Sequence, residues 1–240
     1  MPIIISAVLL ALAFGCKAAA QSASTSATGA TAVSVGLYEQ AASHQADLSH
    51  GSVIAAQGTP NGVPACAQCH AFDGAADGSG AFPRIAGLSA YYFEKQMRDF
   101  ASGVRDNAIM SPLTKPLSAD DIADVAAYYA GAKAPFPPLA GPAPALIARG
   151  EKLATMGDAP KGIPGCNICH GPRGAGEATP YLAGQYAQYI AFELQMWRRG
   201  YRKNSEEIML IFANKLDDQD IAAVAAYYQQ LPTQRIRDKQ

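Results

Sequence analysis

The feature that most constrains this chain is a short cysteine and histidine pattern that occurs twice. The residues CAQCH at 66–70 return as CNICH at 166–170, 100 positions later. Two cysteines three residues apart lie about one helical turn apart, so both thiols can form thioether bonds to one edge of a porphyrin. The histidine that follows can give its imidazole to the iron as the proximal ligand. The pattern therefore predicts two covalently bound haem c groups, attached through Cys66, Cys69, Cys166 and Cys169, with His70 and His170 as iron ligands.

Three other interpretations of these cysteines are weaker. Structural zinc sites usually combine cysteine pairs that lie about 15 to 20 residues apart, a much shorter separation than the one between these pairs. A thioredoxin-like dithiol does not need a histidine directly after its second cysteine, and here the histidine occurs in both copies. Disulfides within each pair would be sterically awkward at this spacing and would leave both histidines unexplained.

Length and composition agree with two small cofactor-binding domains. A chain of 240 residues fits one or two domains, and the repeat favours two. Charged residues make up only 16% of the chain, and small side chains are abundant, as suits domains that wrap a large apolar cofactor. The formal net charge of −1 gives no electrostatic reason to expect nucleic acid as a partner.

The N-terminal residues predict export. An apolar run from Ile3 to Phe14 is too short to span a bilayer and fits the core of a signal peptide at residues 1–20. An alternative is a lipoprotein signal that ends before Cys16, which would tether the protein to the membrane through a lipid. Residues 21–45 are interpreted as a flexible leader. Both alternatives predict a periplasmic protein, soluble or held by a lipid anchor.

Alignment of the chain with itself predicts matching helices in the two copies. Apolar residues recur at spacings of three and four in 92–100 and again in 189–197. The last helix of each copy has a buried stripe from Ile122 to Tyr129 and from Ile221 to Tyr228. The predicted divisions are a first domain at 46–131, a proline-rich linker at 132–145 and a second domain at 146–233.

The same alignment selects candidates for the second axial ligand. Met110 and Met209 occupy matching positions, 40 and 39 residues after their histidines, in what is interpreted as a loop. The methionines at 97, 156 and 196 have no methionine at the matching position and are interpreted as structural. His44 and His50 are interpreted as surface residues, with bis-histidine ligation of the first haem as the alternative.

Two further pairs of matching residues are candidates for supporting roles. The carbonyl of Pro83 or Pro180 could accept the Nδ1 hydrogen of the proximal histidine and fix its ring. Arg105 and Arg202 could pair with haem propionates, or could be solvated surface residues.

With these motifs, the sequence resembles the dihaem cytochrome c4 family over about residues 50–231. The resemblance rests on the two CxxCH motifs, on PRIAGL at 83–88 and PYLAGQ at 180–185, and on the methionine followed by a helix ending in AAYY. It implies an all-α fold of two tandem cytochrome c-like domains, His/Met ligation of both irons and electron transfer in the periplasm. The chain departs from the family pattern at Leu88, where glutamine is usual, and in the segment after His70.

The expected function is that of an electron carrier, not an enzyme. A dihaem relay would take electrons from a cytochrome bc1-type complex or a periplasmic dehydrogenase and pass them to a terminal oxidase. The alternatives are the cytochrome subunit of a complex that resembles flavocytochrome sulfide dehydrogenase, and a dihaem peroxidase or thiosulfate dehydrogenase, which would need one open iron position.

The two halves of the chain differ in net charge. Residues 21–131 carry 5 basic and 10 acidic side chains, a net of −5, whereas residues 132–240 carry 13 basic and 10 acidic, a net of +3. This dipolar charge predicts different partners for the two ends.

Overall fold

The computed structural model describes residues 44–134, 143–172 and 179–232. The predicted signal peptide, Cys16, nearly all of the leader and most of the proline-rich linker lie outside these residues. Within them the chain is helical and forms no strand, apart from an isolated bridge between Asp158 and Ile163. The predicted all-α fold is therefore confirmed. None of the helices in these three ranges combines the length and the apolarity that crossing a membrane requires.

The two copies of the sequence pattern, called here the first and second repeats, fold into matching series of helices. The helices of the first repeat are α1 Leu48–Gln57, α2 Ala67–His70, α3 Ala90–Ser102, α4 Met110–Thr114 and α5 Ala119–Gly131. Those of the second repeat are α6 Pro144–Thr155, α7 Asn167–His170, α8 Ala187–Arg198, α9 Ile208–Lys215 and α10 Asp218–Gln230. Because α6 begins at Pro144, the last two residues of the predicted linker are helical. Proline suits the first turn of a helix, where its missing N–H has no helical partner.

The last helix of each repeat begins with a capping box. In α5 the Ser118 hydroxyl accepts from the Asp121 N–H, and the Asp121 carboxylate accepts from the Ser118 N–H. Asp217 and Asp220 make the same pair of bonds at the start of α10. A side-chain cap of this kind stabilises a helix by about 1 kcal/mol, so these residues fix where both helices begin.

The core of each repeat forms where its first and last helices cross. The predicted stripes of α5 and α10 are buried, with Tyr129 fully inaccessible and Tyr228 nearly so. Gly51 in α1 packs against the backbone of Asp124, and Gly150 in α6 packs against the backbone of Ala223. The absence of a side chain lets each helix approach the other closely, so the two crossings are alike.

The repeats also contact each other directly. The backbone N–H of Arg84 donates to Oε1 of Gln185 over 2.9 Å, and Nε2 of Gln185 donates to the Arg84 carbonyl over 2.9 Å. The Tyr186 hydroxyl donates to the carbonyl of Ala75 over 2.7 Å. Leu88, which matches Gln185, has no amide with which to make the reciprocal bonds. The departure at Leu88 therefore removes polar bonding from one side of the contact between the repeats.

Candidate functional site

Both cysteine motifs open on one large cavity. Its volume is about 1340 Å³, more than the roughly 300–1,000 Å³ of a pocket for a single small ligand, and its wall includes residues of both repeats. Most of the lining side chains are apolar. They include Ile85, Phe93, Met97, Phe100 and Leu117 of the first repeat and Ile190, Leu194, Trp197, Leu216 and Val224 of the second. A space of this size and character fits two large apolar cofactors, one in each repeat.

The cysteines of each motif lie at the start of, and within, a single turn of helix beside the cavity. Cys66 precedes α2 and Cys69 lies within it, and both line the cavity, as Cys166 and Cys169 do in the second repeat. The four thiols are free. Burial raises the pKa of the Cys66 thiol to about 11, and burial also raises the pKa of Cys166. Both of these thiols are therefore held in the apolar wall of the cavity, next to the space that a cofactor would fill.

The proximal histidines are held by the backbone, as the sequence predicts. Nδ1 of His70 lies 3.0 Å from the Pro83 carbonyl oxygen, and Nδ1 of His170 lies 3.3 Å from that of Pro180. A carbonyl only accepts, so Nδ1 carries the hydrogen and the lone pair is on Nε2, the nitrogen left for a metal. Burial lowers the pKa of both rings, which favours the neutral form that binds iron.

The two matched methionines line the cavity, but they do not lie in loops. Met110 is the first residue of α4, and Met209 lies in the first turn of α9. The loop prediction is wrong because each segment folds into a short helix a few residues after the arginine turn. Met97 also lines the cavity, but it is buried in the first hydrophobic core among Ile54, Phe93 and Val125, as its match with Leu194 indicates. Met156 is exposed and Met196 does not line the cavity.

Backbone strain distinguishes the two motifs. Ala71 follows His70 with φ 60° and ψ 158°, a conformation that only glycine adopts without cost, and the second repeat has Gly171 there with φ 77° and ψ 172°. This is the segment in which the sequence departs from the family pattern. In the second repeat, Glu206 and Glu207, which precede α9, have φ of 49° and 68°. The backbone is therefore strained directly after the CAQCH motif of the first repeat and directly before α9, which contains Met209.

Arg105 and Arg202 are not solvated surface residues. Their side chains are only 8% and 9% exposed, and both guanidiniums bind the carboxylate of Glu193 over 2.6 Å. Glu193 and its match Gln96 lie within segments 189–197 and 92–100, whose recurring residues are otherwise apolar. The sequence does contain a signal for this pair of ion pairs. Each otherwise apolar stripe has a polar residue at the same place, and each repeat has an arginine at the matching position.

His44 and His50 form a separate cluster away from the cavity, which neither residue lines. Nε2 of His44 lies 2.6 Å from Oδ1 of Asp124, and Nδ1 of His50 lies 2.7 Å from Oδ2 of the same carboxylate. The hydrogen bond to Asp124 raises the pKa of each histidine. The bis-histidine alternative has no support from this position.

The residues around the motifs fit haem and do not fit a zinc site. Within residues 44–134, 143–172 and 179–232, no three His, Cys, Asp or Glu side chains converge to hold a metal ion. Each half of the cavity instead offers two thiols on one helical turn, one oriented imidazole and an apolar wall. This combination is what a covalently attached haem requires.

Comparison with known proteins places the chain in a family. Residues 147–232 match the family model for cytochrome c. Cytochrome c4 of Pseudomonas aeruginosa is 40% identical over 190 residues, which are 77% of this chain and 92% of that protein. A thiosulfate dehydrogenase electron acceptor of Stutzerimonas stutzeri is also 40% identical over 190 residues, 78% of this chain and 88% of that protein. The crystal structure of cytochrome c4 from Pseudomonas stutzeri superposes with a TM-score of 0.68 at 32% identity, over 78% of this chain and all of that one.

The chain thus defines an all-α c-type cytochrome with two cytochrome c-like domains, each of which carries a covalently bound haem c. It belongs to the dihaem cytochrome c4 family. It is an electron-transfer protein rather than an enzyme, and haem supplies the iron that takes up and releases the electron. Its partners are therefore other redox proteins.

Proposed function

We propose that this protein is a two-haem relay in the periplasm, with domains at 46–131 and 146–233. In this proposal His70 and Met110 ligate the first iron, and His170 and Met209 ligate the second. The observation that carries the proposal is the single cavity, whose wall contains both cysteine motifs and both matched methionines. A nitrogen and a sulfur ligand keep the iron six-coordinate and raise its potential, as suits an acceptor of electrons from quinol oxidation.

Haem content and spin state test this relay. Protein made in a host with c-type cytochrome maturation is expected to contain two haems per chain, both low-spin and both reducible by ascorbate. One haem per chain, or a high-spin fraction in the resting spectrum, would contradict the ligand assignment. Cell fractionation and the mass of the mature protein test export and a lipid on Cys16, which lies outside the described residues.

The proposed electron donors and acceptor are the following. A cytochrome bc1-type complex or a periplasmic dehydrogenase is proposed as donor and a terminal oxidase as acceptor. A thiosulfate dehydrogenase is a specific candidate donor, because the Stutzerimonas stutzeri relative is named as the electron acceptor of that enzyme. In this role the protein would receive electrons from the enzyme and would not act on thiosulfate itself.

A reconstitution experiment distinguishes these donors. The oxidised protein is mixed with thiosulfate alone, with thiosulfate and a thiosulfate dehydrogenase, or with quinol and a bc1-type complex, and haem reduction is followed. The dehydrogenase mixture is expected to reduce the protein at a rate that falls as salt rises, because the two halves of the chain differ in net charge. Reduction by thiosulfate alone would indicate an enzyme, and reduction only by the bc1-type complex would exclude the dehydrogenase as donor.

A further inference from the structure

A cluster of buried polar side chains lies on the cavity wall where the two repeats meet. Every member occurs at a position that has a counterpart in the other repeat. The members of this cluster, called here the inter-repeat cluster, are Tyr92, Gln96 and Arg105 from the first repeat and Tyr189, Glu193 and Arg202 from the second. All six line the cavity.

One carboxylate at the centre of this cluster binds both repeats. Oε1 of Glu193 accepts from Nη2 of Arg105 over 2.6 Å, and Oε2 accepts from Nη1 of Arg202 over 2.6 Å. Arg105 belongs to the first repeat and Arg202 to the second. The two oxygens of one side chain are thus divided between the two halves of the molecule.

Three further bonds of the two arginines also cross between the repeats, whereas Arg105 to Gln96 and Arg202 to Asn204 are bonds within one repeat. Arg105 donates to the Tyr189 hydroxyl over 3.1 Å, and Arg202 donates to the Tyr92 hydroxyl over 3.2 Å. The amide oxygen of Gln96 accepts from Arg105 over 2.8 Å and from Arg202 over 3.1 Å. These six side chains therefore share the two-fold pattern of the repeats, except that one repeat supplies an amide where the other supplies a carboxylate. Asn204 of the second repeat is a further departure from this pattern, because it also donates to the Gln96 amide oxygen over 3.0 Å.

This exception makes the charge of Glu193 indispensable to the cluster. Burial raises the pKa of the Glu193 carboxyl, but the charges of Arg202 and Arg105 oppose that effect and hold the pKa below its ordinary value. The group is therefore ionised near pH 7. Without it, the bonded side chains of the protein would offer the two buried guanidiniums only neutral acceptors, an arrangement that the low dielectric of the interior disfavours.

We propose that Glu193 is a positioning residue that holds the two haem-binding repeats in one relative orientation, and that this orientation sets the rate of electron exchange between the haems. Electron exchange depends steeply on the distance and orientation of the two groups. The hydrogen bonds and the ion pair described between the repeats are polar and directional, so a carboxylate that binds both repeats controls that geometry. The proposal rests on both haems being bound, which the haem count described above tests separately.

The test compares Glu193→Gln with wild-type holoprotein. The variant keeps the size and the acceptor oxygen of the side chain and removes its charge. Pulse radiolysis reduces one haem and follows the redistribution of the electron to the other. We expect the exchange rate constant to fall about tenfold or more, because small misplacements of reacting groups have effects of this order. The absorption spectrum of each haem is expected to remain that of the wild type. Glu151→Gln, a substitution of an exposed glutamate in the same repeat, is the matched control and should leave the rate unchanged.

A rescue variant distinguishes this role from a merely structural one. Gln96 already accepts from both arginines, so Gln96→Glu combined with Glu193→Gln moves the shared carboxylate to the other repeat. This double variant should recover most of the exchange rate. If Glu193→Gln exchanges electrons at the wild-type rate, or if the double variant is as slow as the single one, the proposal is wrong. Should Glu193→Gln fail to fold, Arg105→Gln removes the cation of the first repeat that the Glu193 carboxylate binds, and a wild-type rate in that variant would equally refute the proposal.

Discussion

The close approach of α6 and α10 at Gly150 allows a quantitative prediction about the stability of the second repeat. A Cβ atom added at Gly150 would lie 2.1 Å from the carbonyl oxygen of Ala223 and 2.7 Å from Cβ of Tyr227. Non-bonded carbon contacts are most favourable at about 3.5 Å or more, so the contact with Cβ of Tyr227 would have to lengthen by about 0.8 Å, and the contact with the carbonyl oxygen by more. The neighbouring atoms include backbone, which cannot turn away as a flexible side chain can.

The expected cost follows from two opposing contributions. Forcing a methyl group into a packed core destabilises a protein by about 1–3 kcal/mol. Replacing glycine by alanine inside a helix returns about 1 kcal/mol through the higher helix propensity of alanine. A clash with backbone belongs at the upper end of the first range. We therefore expect Gly150→Ala to lower the free energy of unfolding by about 2 kcal/mol, which corresponds to a fall of roughly 8–16 °C in the melting temperature of a domain of this size.

Guanidinium and thermal unfolding of the holoprotein, followed by far-ultraviolet circular dichroism and haem absorbance, measure this change. Gly131→Ala is the matched control, because Gly131 is also helical and a Cβ there meets no atom within 4 Å. The control should be as stable as the wild type or slightly more stable. Gly51→Ala should behave like Gly150→Ala, since its Cβ would lie 2.2 Å from the Asp124 carbonyl oxygen. If Gly150→Ala unfolds at the same denaturant concentration as Gly131→Ala, the helix crossing is not as tight as described.

Three further predictions concern the first motif, the matched methionines and the histidine cluster. Met110→Ala and Met209→Ala should each lower the potential of one haem and give it a high-spin spectrum while the repeats stay folded; low-spin spectra in both variants would contradict the ligand assignment. The hydrogen bond to Asp124 raises the pKa of His50 above its ordinary 6.5, so its stabilising effect is complete below that pH and is lost as the pH rises through the raised pKa. Unfolding free energies measured from pH 6 to 9 should therefore fall with pH in the wild type and less steeply in Asp124→Asn; parallel profiles would argue against this account. Ala71→Gly should relieve the backbone strain and stabilise the protein against denaturant by about 1 kcal/mol, and a midpoint that does not rise would contradict the strain.

The internal symmetry of the chain is broken at a few positions. Gln185 binds the backbone of Arg84, whereas Leu88 at the matching position cannot make the reciprocal bonds. Glu193 carries a charge where Gln96 carries none. These differences make the contact between the repeats asymmetric, although each repeat retains the same order of helices. These differences affect how the two haem-binding repeats are positioned relative to each other, and not the residues that attach either haem.

The sequence alone determined the cofactor and the helices that surround it. Covalent attachment and the caps of α5 and α10 depend on residues close together in the chain, so a short pattern is sufficient to recognise them. The hydrogen bonds from His70 to Pro83 and from His170 to Pro180 were also predictable, because the two prolines occupy matching positions in the two copies of the repeat, 13 and 10 residues after their histidines.

Only the tertiary structure decided the roles of Arg105, Arg202 and Glu193. Glu193 lies 88 positions after Arg105 and 9 positions before Arg202. The periodic pattern of a helix does not indicate whether a polar residue within it faces solvent or another domain. The bond from His44 to Asp124 likewise joins residues 80 positions apart. Hydrophobic periodicity indicates which face of a helix is buried. The partner of a buried charge depends instead on how segments distant in sequence pack against each other, so it is defined only once the two repeats are in contact.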